Sequence, residues 1–596
     1  MAHLSFSSRL LAIALLTAPL TSQAALSLPH FFSDHMVLQR DTPAAIWGSA
    51  DAGATVKISF KGQTAAATAD AQGHWKAAIP TGAADAAGAE LTIQSGDQTM
   101  SIKDVLVGEV WFASGQSNMV FTLNRVPAYK AITDATNDPQ LRFFLAPLVT
   151  SDQPETDIEG HWDLATPETT PGFSAVAFFF AKKLREELKV PVGVIKSAWG
   201  GKPVETFTSR DALVTIREGK AMVDEVMARE AAYNQERADK AYAEALAKWT
   251  EIVKAARGKP ENERGRLPKR PAPPKRPLLT EGVAGVLYDA MIHPFVGYTI
   301  KGAIWYQGEG NAKVGAIPYD KTLPLMITDW RKRWGSEFSF YFVQLANYHA
   351  PSTEPGTPDP WPLVQDRMRR VLDSTPKTGM AVINDVGEAN NIHPADKQTV
   401  GDRLARWALV KDYGKDMVVC GPLYRSHEID GAKIRIKFDN ATGLKSRDGG
   451  PLKRFEISGK ERTWHWADAV IDGDSVVVSS AAVPVPAAVR YAWAANPEGA
   501  NLVNGEGLPA SVFRTDDWKD VDPQPDPTIQ TAQQKRNALR DEIKRLAAER
   551  AKLDPKSEEF KTLSLKIRDM LTEYKAGQPA GSNASKGKAK AAAPAK

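Results

Sequence analysis

One apolar run that ends in a polar turn dominates the hydrophobic pattern of this chain. Residues 105–112 are mostly aliphatic and aromatic β-formers and lack the alternation of a half-exposed strand. Such a run predicts a strand buried on both faces of a parallel sheet. Small and polar residues follow at once in ASGQSNM, residues 113–119. Because open α/β sheets bind ligands beyond the carboxyl ends of their strands, Ser117 is a candidate functional residue.

Different patterns lie on either side of residue 104. Residues 25–104 consist of short runs in which polar and apolar residues alternate, separated by turn residues. They predict an amino-terminal β domain like a small sandwich. In residues 105–414, apolar strand-like runs alternate with amphipathic helical stretches. This alternation predicts the α/β class, with a doubly wound parallel sheet.

A helical insertion interrupts the α/β pattern at about residues 209–280. Its apolar positions recur with helical spacing and predict one face of a long helix; they are Tyr242, Leu246, Trp249 and Val253. Beyond the α/β region, residues 415–520 return to β character and predict a carboxyl-terminal β domain. Two sandwich-like β regions are therefore expected to flank the parallel sheet.

The two ends of the chain have patterns of their own. Residues 1–24 combine basic residues, a short apolar run and a small-x-small site, which predicts a cleaved signal peptide and a secreted or periplasmic protein. We expect no other segment to cross a membrane. Residues 528–576 predict a helical hairpin, a candidate for self-association or surface attachment. Residues 577–596 predict a disordered basic tail.

Composition and charge narrow the classes of function. The net charge is only +4, so the chain shows no sign of a nucleic-acid partner. The single cysteine, Cys420, excludes an intramolecular disulfide and a cysteine-based zinc site. The histidines and carboxylates show no metal-ligand spacing, so neither a metal nor another cofactor is predicted.

Several polar residues could together form the site of a serine hydrolase, which needs a nucleophile, a base and oxyanion donors at converging strand ends. Three predicted strand ends meet this need at one edge of the sheet; they contain Ser117, the pair Gly200 and Gly201, and the segment from Gln307 to Asn311. Two Ile-His-Pro triplets offer a base. His293 lies in an apolar segment and is interpreted as a packed structural histidine. His393 follows a strand and precedes a helix, as expected of a catalytic base.

Four sequence blocks resemble those of the sialate O-acetylesterase family, which is part of the SGNH (GDSL-like) hydrolase superfamily. In this chain the blocks are GQSNM (115–119), WGGKPVE (199–205), WYQGEGN (305–311) and IHP (392–394) followed by Lys397, Gly401, Arg403 and Leu404. The resemblance extends from about residue 28 to residue 516 and does not include the carboxyl-terminal helices. It implies an SGNH-like catalytic domain and a carboxylic ester hydrolase.

The resemblance also implies roles for the matched residues. Ser117 would attack an acetyl carbonyl, and His393 would accept its proton and later pass a proton to the sugar hydroxyl. Backbone and side-chain donors would hold the oxyanion; the candidates are the N–H groups of Ser117 and of Gly200 or Gly201, and the side-chain amide of Gln307 or Asn311. The implied partner is an O-acetylated carbohydrate.

One departure from the superfamily concerns the acid that usually orients the histidine. Asn390 and Asn391 occupy the usual positions of this acid, two or three residues before His393. An amide cannot act as an anionic orienter, so either another group orients His393 or activity is reduced. Asp385, at the end of the preceding strand, is the first candidate, and Glu388 is the alternative. A backbone carbonyl oxygen is a third arrangement.

The sequence leaves three functions to separate. The family implies acetylated sialic acid as the substrate, and acetylated xylan or pectin oligosaccharides are the alternative for an enzyme. A non-catalytic carbohydrate-binding relative is the competing class, because the usual acid is missing. Hydrolysis of a simple acetyl ester would distinguish an enzyme from a binding protein.

Overall fold

The structure is a computed structural model that describes most of the chain. It describes residues 25–518 except 128, 133–135, 259 and 261–266, and after them residues 539, 542–543, 545–547, 549–550, 553–554 and 557–576. The chain divides into two compact units, residues 1–518 and residues 519–596. The predicted signal peptide and the predicted basic tail lie outside the described residues, and both stay predictions.

The longest strand joins the amino-terminal β region to the parallel sheet. The first seven strands are β1 Val37–Gln39, β2 Ala44–Ser49, β3 Thr55–Phe60, β4 Gln63–Thr68, β5 His74–Ile79, β6 Asp85–Ser95 and β7 Gln98–Gly115. The first part of β7 pairs antiparallel with β6, and its last part pairs with parallel neighbours on both sides. The predicted border between residues 104 and 105 therefore lies within one continuous strand.

The central sheet is mainly parallel, with β7 in its middle. Its other strands are β8 Asp138–Leu145, β9 Trp162–Ala165, β10 Val192–Ala198, β11 Gly302–Tyr306, β12 Ser339–Val343 and β13 Thr378–Ala381. The spatial order is β13-β12-β11-β7-β10-β8-β9, and only β8 and β9 pair antiparallel along this path. Strands β8–β10 lie on one side of β7, and strands β11–β13, which come later in the chain, lie on the other. This arrangement confirms the predicted α/β class.

Helices cover both faces of this sheet. The helices are α1 Ser117–Val120, α2 Tyr129–Ile132, α3 Ala175–Leu188, α4 Arg210–Leu213, α5 Arg217–Ala231, α6 Gln235–Arg257, α7 Tyr319–Trp334, α8 Pro360–Ser374, α9 Lys397–Lys411 and, in the second unit, α10 Glu558–Ala576. Successive strand residues point to opposite faces. On one face of β7, Trp111 packs against Phe180 of α3, with ring centroids 4.9 Å apart. On the other, Phe112 packs against Trp330 of α7 at 5.7 Å.

The helical insertion consists of α4, α5 and α6. The indole N–H of Trp249 on α6 donates to the carbonyl oxygen of Pro268, at 2.9 Å, and so holds the proline-rich segment that follows against the helix. None of the helices in the described part of the chain is long and apolar enough to span a membrane. Most of the first helix of the predicted carboxyl-terminal hairpin lies outside the described residues, so the hairpin stays a prediction.

Small antiparallel sheets follow the central sheet in the same unit. Their strands are β14 Leu423–Asp430, β15 Lys433–Asp439, β16 Lys445–Ser446, β17 Phe455–Ser458, β18 Trp464–Trp466, β19 Asp468–Asp472, β20 Ser475–Ser479, β21 Ala488–Tyr491, β22 Leu502–Val503 and β23 Phe513–Arg514. Two sheets have four strands each, in the orders β14-β15-β20-β19 and β18-β17-β21-β23. This β character follows the alternation of buried and exposed residues, as in β15.

Candidate active site

The turn between β7 and α1 carries Ser117. Gly115 ends β7 with a φ of +134°, and a Cβ atom there would lie only 2.2 Å from the carbonyl oxygen of Tyr306. Glycine avoids this clash and lets the Gln116 N–H donate to the same oxygen at 2.9 Å. Strand β7 therefore stops at the end of its neighbour β11, and α1 begins at Ser117.

His393 lies in the loop between β13 and α9, and its ring reaches Ser117. The Nε2 atom is 2.7 Å from Ser117 Oγ, a distance suited to proton transfer from a nucleophile to a base. The Asn391 side chain holds the backbone of His393: its Oδ1 accepts from the His393 N–H at 3.0 Å, and its Nδ2 donates to the His393 carbonyl oxygen at 2.9 Å. Ser117 and His393, which lie far apart in the sequence, are thus in contact.

The surroundings of His393 favour the neutral imidazole. Burial lowers the pKa of His393 below its ordinary 6.5, and the positive charges of Lys397 and Arg125 lower it further. A neutral imidazole at pH 7 can accept a proton from a serine hydroxyl. The environment is therefore suited to a general base.

Asp385, the first candidate for the orienting acid, does not contact His393. Its carboxylate accepts from Arg403 of α9 at 2.6 and 2.9 Å and from Arg447 at 3.1 Å. The expectation that Asp385 pairs with His393 is therefore wrong for this structure. The strand end directs this carboxylate towards two guanidinium groups, one of which belongs to the carboxyl-terminal β region.

Glu388, the alternative acid, also contacts other groups. Its Oε2 accepts from Asn391 Nδ2 at 3.0 Å, and its Oε1 accepts from the Ala395 N–H at 2.8 Å. Glu388 thus braces the loop that carries His393 without touching the imidazole. In the part of the chain that the structure describes, no carboxylate forms a hydrogen bond with His393, so the usual serine–histidine–acid arrangement is incomplete.

We expect Asp385→Asn to lower the stability of the protein more than its turnover. Hydrogen bonds to charged groups contribute about 1.5–3 kcal/mol, and this change weakens the bonds that Asp385 makes to Arg403 and Arg447. Urea unfolding should show a lower free energy of unfolding, while kcat on p-nitrophenyl acetate should change little. Glu388→Gln is the matched control. A fall of kcat by orders of magnitude in folded Asp385→Asn would restore Asp385 as the orienting acid.

Backbone N–H groups lie beside the nucleophile. A Cβ atom on Gly200 would be 3.4 Å from the Cβ of Ser117, so this glycine passes next to the nucleophile. Gly201 follows with a φ of +71°, in the left-handed region. The N–H groups of Ser117, Gly200 and Gly201 donate to no acceptor among the described residues. Their role as oxyanion donors stays a prediction.

The side-chain amides of Gln307 and Asn311 are both engaged within the protein. Gln307 Nε2 contacts Asn311 Oδ1 at 2.8 Å, and both Gln116 Oε1 and the Lys202 carbonyl oxygen at 3.2 Å. Asn311 Nδ2 donates to the two carboxylate oxygens of Glu205, each at 3.0 Å. This departs from the expectation that one of these amides holds the oxyanion. Instead, they attach the segment after Gly201 to the end of β11.

Asn118 is a site residue that the sequence analysis did not identify. Its Nδ2 donates to the carbonyl oxygen of Ile392 at 3.0 Å and to Glu309 Oε1 at 2.5 Å, and its Oδ1 accepts from Lys397 Nζ at 2.8 Å. Asn118 follows the nucleophile and Ile392 precedes the base, so one hydrogen bond links the two segments. Its place within the matched nucleophile block was the signal available in the sequence.

Comparison with known proteins identifies relatives for most of the chain. No protein-family model matches it. A sialate O-acetylesterase of Rattus norvegicus is 30% identical over 506 residues, which cover 78% of this chain and 88% of that protein. A sialate O-acetylesterase of Homo sapiens is 27% identical over 507 residues, with 78% and 86% covered.

A solved structure extends this similarity to the fold. It is described as a novel carbohydrate acetylesterase from Xanthomonas citri, and it is 35% identical to this chain with a TM-score of 0.69. The match covers 83% of this chain and 100% of the solved one. The chain therefore belongs to the sialate O-acetylesterase family of carboxylic ester hydrolases.

Proposed function

We propose that this protein is an exported serine esterase that removes O-acetyl groups from carbohydrates, with Ser117 as nucleophile and His393 as base. The observation that carries the proposal is the contact of 2.7 Å between Ser117 Oγ and His393 Nε2. Export follows from the predicted signal peptide at residues 1–24. The names of the relatives support the chemistry, because each is an acetylesterase.

The reaction proceeds in two halves through an acetyl-enzyme. Ser117 Oγ attacks the acetyl carbonyl carbon while His393 Nε2 accepts its proton. The N–H groups of Ser117 and Gly200 stabilise the oxyanion, and the imidazolium then protonates the sugar oxygen that leaves. In the second half, His393 Nε2 takes a proton from the water that attacks the acetyl carbon, and the imidazolium then returns this proton to Ser117 Oγ as the acyl bond breaks and acetate leaves.

The substrate that we favour is an acetylated acidic sugar, with sialic acid as the first choice. Arg125 is exposed, and its guanidinium lies 4.1 Å from the centroid of the Phe121 ring. No carboxylate of the described residues pairs with it, although its charge acts on His393. A cation of this kind suits the carboxylate of sialic acid. An acetylated xylan backbone without uronic acid side groups is neutral and offers Arg125 no carboxylate. Pectin oligosaccharides carry carboxylates and remain the alternative acidic substrate.

The test of the proposed function is acetate release by the purified protein. p-Nitrophenyl acetate comes first, because its hydrolysis distinguishes an esterase from a carbohydrate-binding protein. Acetylated sialic acid, pectin oligosaccharides and xylo-oligosaccharides then compare acidic and neutral sugars. A protein that binds these sugars and hydrolyses none of the esters would contradict the proposal.

Arg125→Gln should separate the acidic substrates from the neutral one. We expect the KM for acetylated sialic acid to rise about 10-fold, because the variant loses one charged contact. The KM for acetylated xylo-oligosaccharides should stay close to that of the wild type. Because Arg125 lowers the pKa of His393, the variant should also lose kcat/KM at a higher pH than the wild type does as the pH falls.

The matched control is Arg237→Gln, which removes another exposed arginine, from α6 of the helical insertion. It should change neither the KM values nor the pH profile. An equal effect of Arg125→Gln on acidic and neutral substrates would contradict a role in recognising the carboxylate.

A further inference from the structure

A buried network of hydrogen bonds holds the chain on both sides of His393. At its centre, Asn118 Nδ2 donates to the carbonyl oxygen of Ile392 at 3.0 Å. Lys397 Nζ donates to Asn118 Oδ1 at 2.8 Å and also to the carbonyl oxygen of Pro394. Since Ile392 and Pro394 are the neighbours of His393, both flanking carbonyl groups are bound from the interior.

Lys397 and Glu309 hold the central amide from opposite sides. The Lys397 side chain is fully buried, and its ammonium also lies 4.7 Å from the centroid of the Phe121 ring. Glu309 accepts from Asn118 Nδ2 through Oε1 at 2.5 Å, while its buried Oε2 has no hydrogen-bond partner among the described residues. Lys397 Nζ donates to the amide oxygen and Glu309 Oε1 accepts from the amide N–H, so the Asn118 amide has one favourable orientation.

We propose that Asn118, oriented by Lys397 and Glu309, is a positioning residue that keeps the His393 ring in reach of Ser117 in place of the missing acid. The proposal rests on the esterase function proposed above. A carboxylate would orient the imidazole through its second ring nitrogen. Here the hydrogen bonds fix the main chain on both sides of His393. The position of the imidazole then depends only on the two side-chain torsions of His393.

Position 118 requires an amide for this role. It must accept one hydrogen bond from Lys397 and donate two, to Glu309 and to the carbonyl oxygen of Ile392. Aspartate has the same shape but donates nothing, and its charge would lie against that of Glu309. Asn118→Asp should therefore release Ile392 and destabilise the network at the same time.

A second substitution separates these two effects. Glu309→Gln added to Asn118→Asp provides a neutral donor for the new carboxylate, and Lys397 still pairs with it. Every side chain of the network then has a hydrogen-bond partner again, and only the carbonyl oxygen of Ile392 still lacks its donor. Glu309→Gln alone is the matched control, because its amide oxygen can still accept from Asn118 Nδ2.

The experiment compares melting temperature, kcat, KM and the rate of phosphonylation of Ser117 by a fluorophosphonate. In the double variant we expect the melting temperature to recover towards that of the wild type, while kcat stays about 100-fold low, the cost of a misplaced reacting group. KM should change little, because the Asn118 side chain is buried. The phosphonylation rate should fall together with kcat. Glu309→Gln alone should lose less kcat than the double variant, because its amide oxygen still accepts from Asn118 Nδ2 and Ile392 keeps its donor.

Recovery of kcat together with the melting temperature in the double variant would overturn the proposal, since the network would then be only structural. If Asn118→Asp does not fold, the same measurements are made on the double variant and on Asn118→Ala. If no variant at position 118 folds, Lys397→Met, which releases Pro394, replaces them. A wild type that hydrolyses no acetyl ester would contradict the proposed function, while the phosphonylation rates would still test the role of Asn118.

Discussion

Ser117→Ala is expected to abolish acetate release and to leave the fold intact. The hydroxyl lies 2.7 Å from His393 Nε2, and without it the proposed acetyl-enzyme cannot form. Loss of a serine nucleophile lowers kcat by about 10⁴-fold or more, with a small remainder from the oxyanion donors. Acetate release from p-nitrophenyl acetate and from acetylated sialic acid measures the loss, and circular dichroism verifies the fold.

Ser114→Ala is the matched control for this experiment. Ser114 lies near the end of the same strand, is fully buried, and its Oγ has no hydrogen-bond partner among the described residues. Ser114→Ala removes one buried hydroxyl oxygen, just as Ser117→Ala removes the hydroxyl oxygen of the site. The Ser114→Ala variant should keep nearly full activity. Wild-type turnover by folded Ser117→Ala would falsify the assignment of the nucleophile.

His393→Ala should remove activity with little loss of stability. His393 is partly exposed in a loop, and its ring forms a hydrogen bond only to Ser117 among the described residues. Without a base, the serine hydroxyl must attack with its proton in place, and the loss of kcat should be about 10³-fold or more. Steady-state turnover and urea unfolding of the same preparations measure the two effects.

His293→Ala is the comparison, because His293 stands in the other Ile-His-Pro triplet. Its Nδ1 donates to the carbonyl oxygen of Glu155 at 2.7 Å, and its ring packs at 5.9 Å from Tyr288. Loss of this hydrogen bond and of the packing should cost about 1–3 kcal/mol in the free energy of unfolding. Turnover by the folded fraction should persist. The opposite pattern, an inactive His293→Ala beside an active His393→Ala, would assign the base to His293.

The missing carboxylate also affects how activity should depend on pH. In a serine–histidine–acid site, the acid stabilises the imidazolium that forms in the transition state. Here the two charges acting on His393 are positive, from Lys397 and Arg125, and they favour the neutral base instead. The expected consequence is activity that persists to a lower pH than the ordinary pKa of histidine would allow.

The amino-acid sequence by itself determined the type of fold and the place of the candidate nucleophile. The apolar run of β7 is readable because a strand buried on both faces needs apolar residues at nearly every position. The polar turn after it is equally local, since Gly115 must accept a backbone conformation that other residues avoid. The loop position of His393, between a strand and a helix, follows from the same short-range patterns.

Only the tertiary structure decided which polar side chains face one another. Asp385 and Glu388 were as suitable by position as any acid, yet the first pairs with Arg447 from the carboxyl-terminal β region and the second braces its own loop. Likewise, the carboxylate of Glu205 accepts from the side-chain amide of Asn311, which was one of the two candidate amides for the oxyanion. Periodicity reports which face of an element is buried, but a hydrogen bond depends on the approach of segments that are distant in sequence. For that reason the contact of Asn118 with Ile392, on which the placement of the base depends, became visible only after the chain was folded.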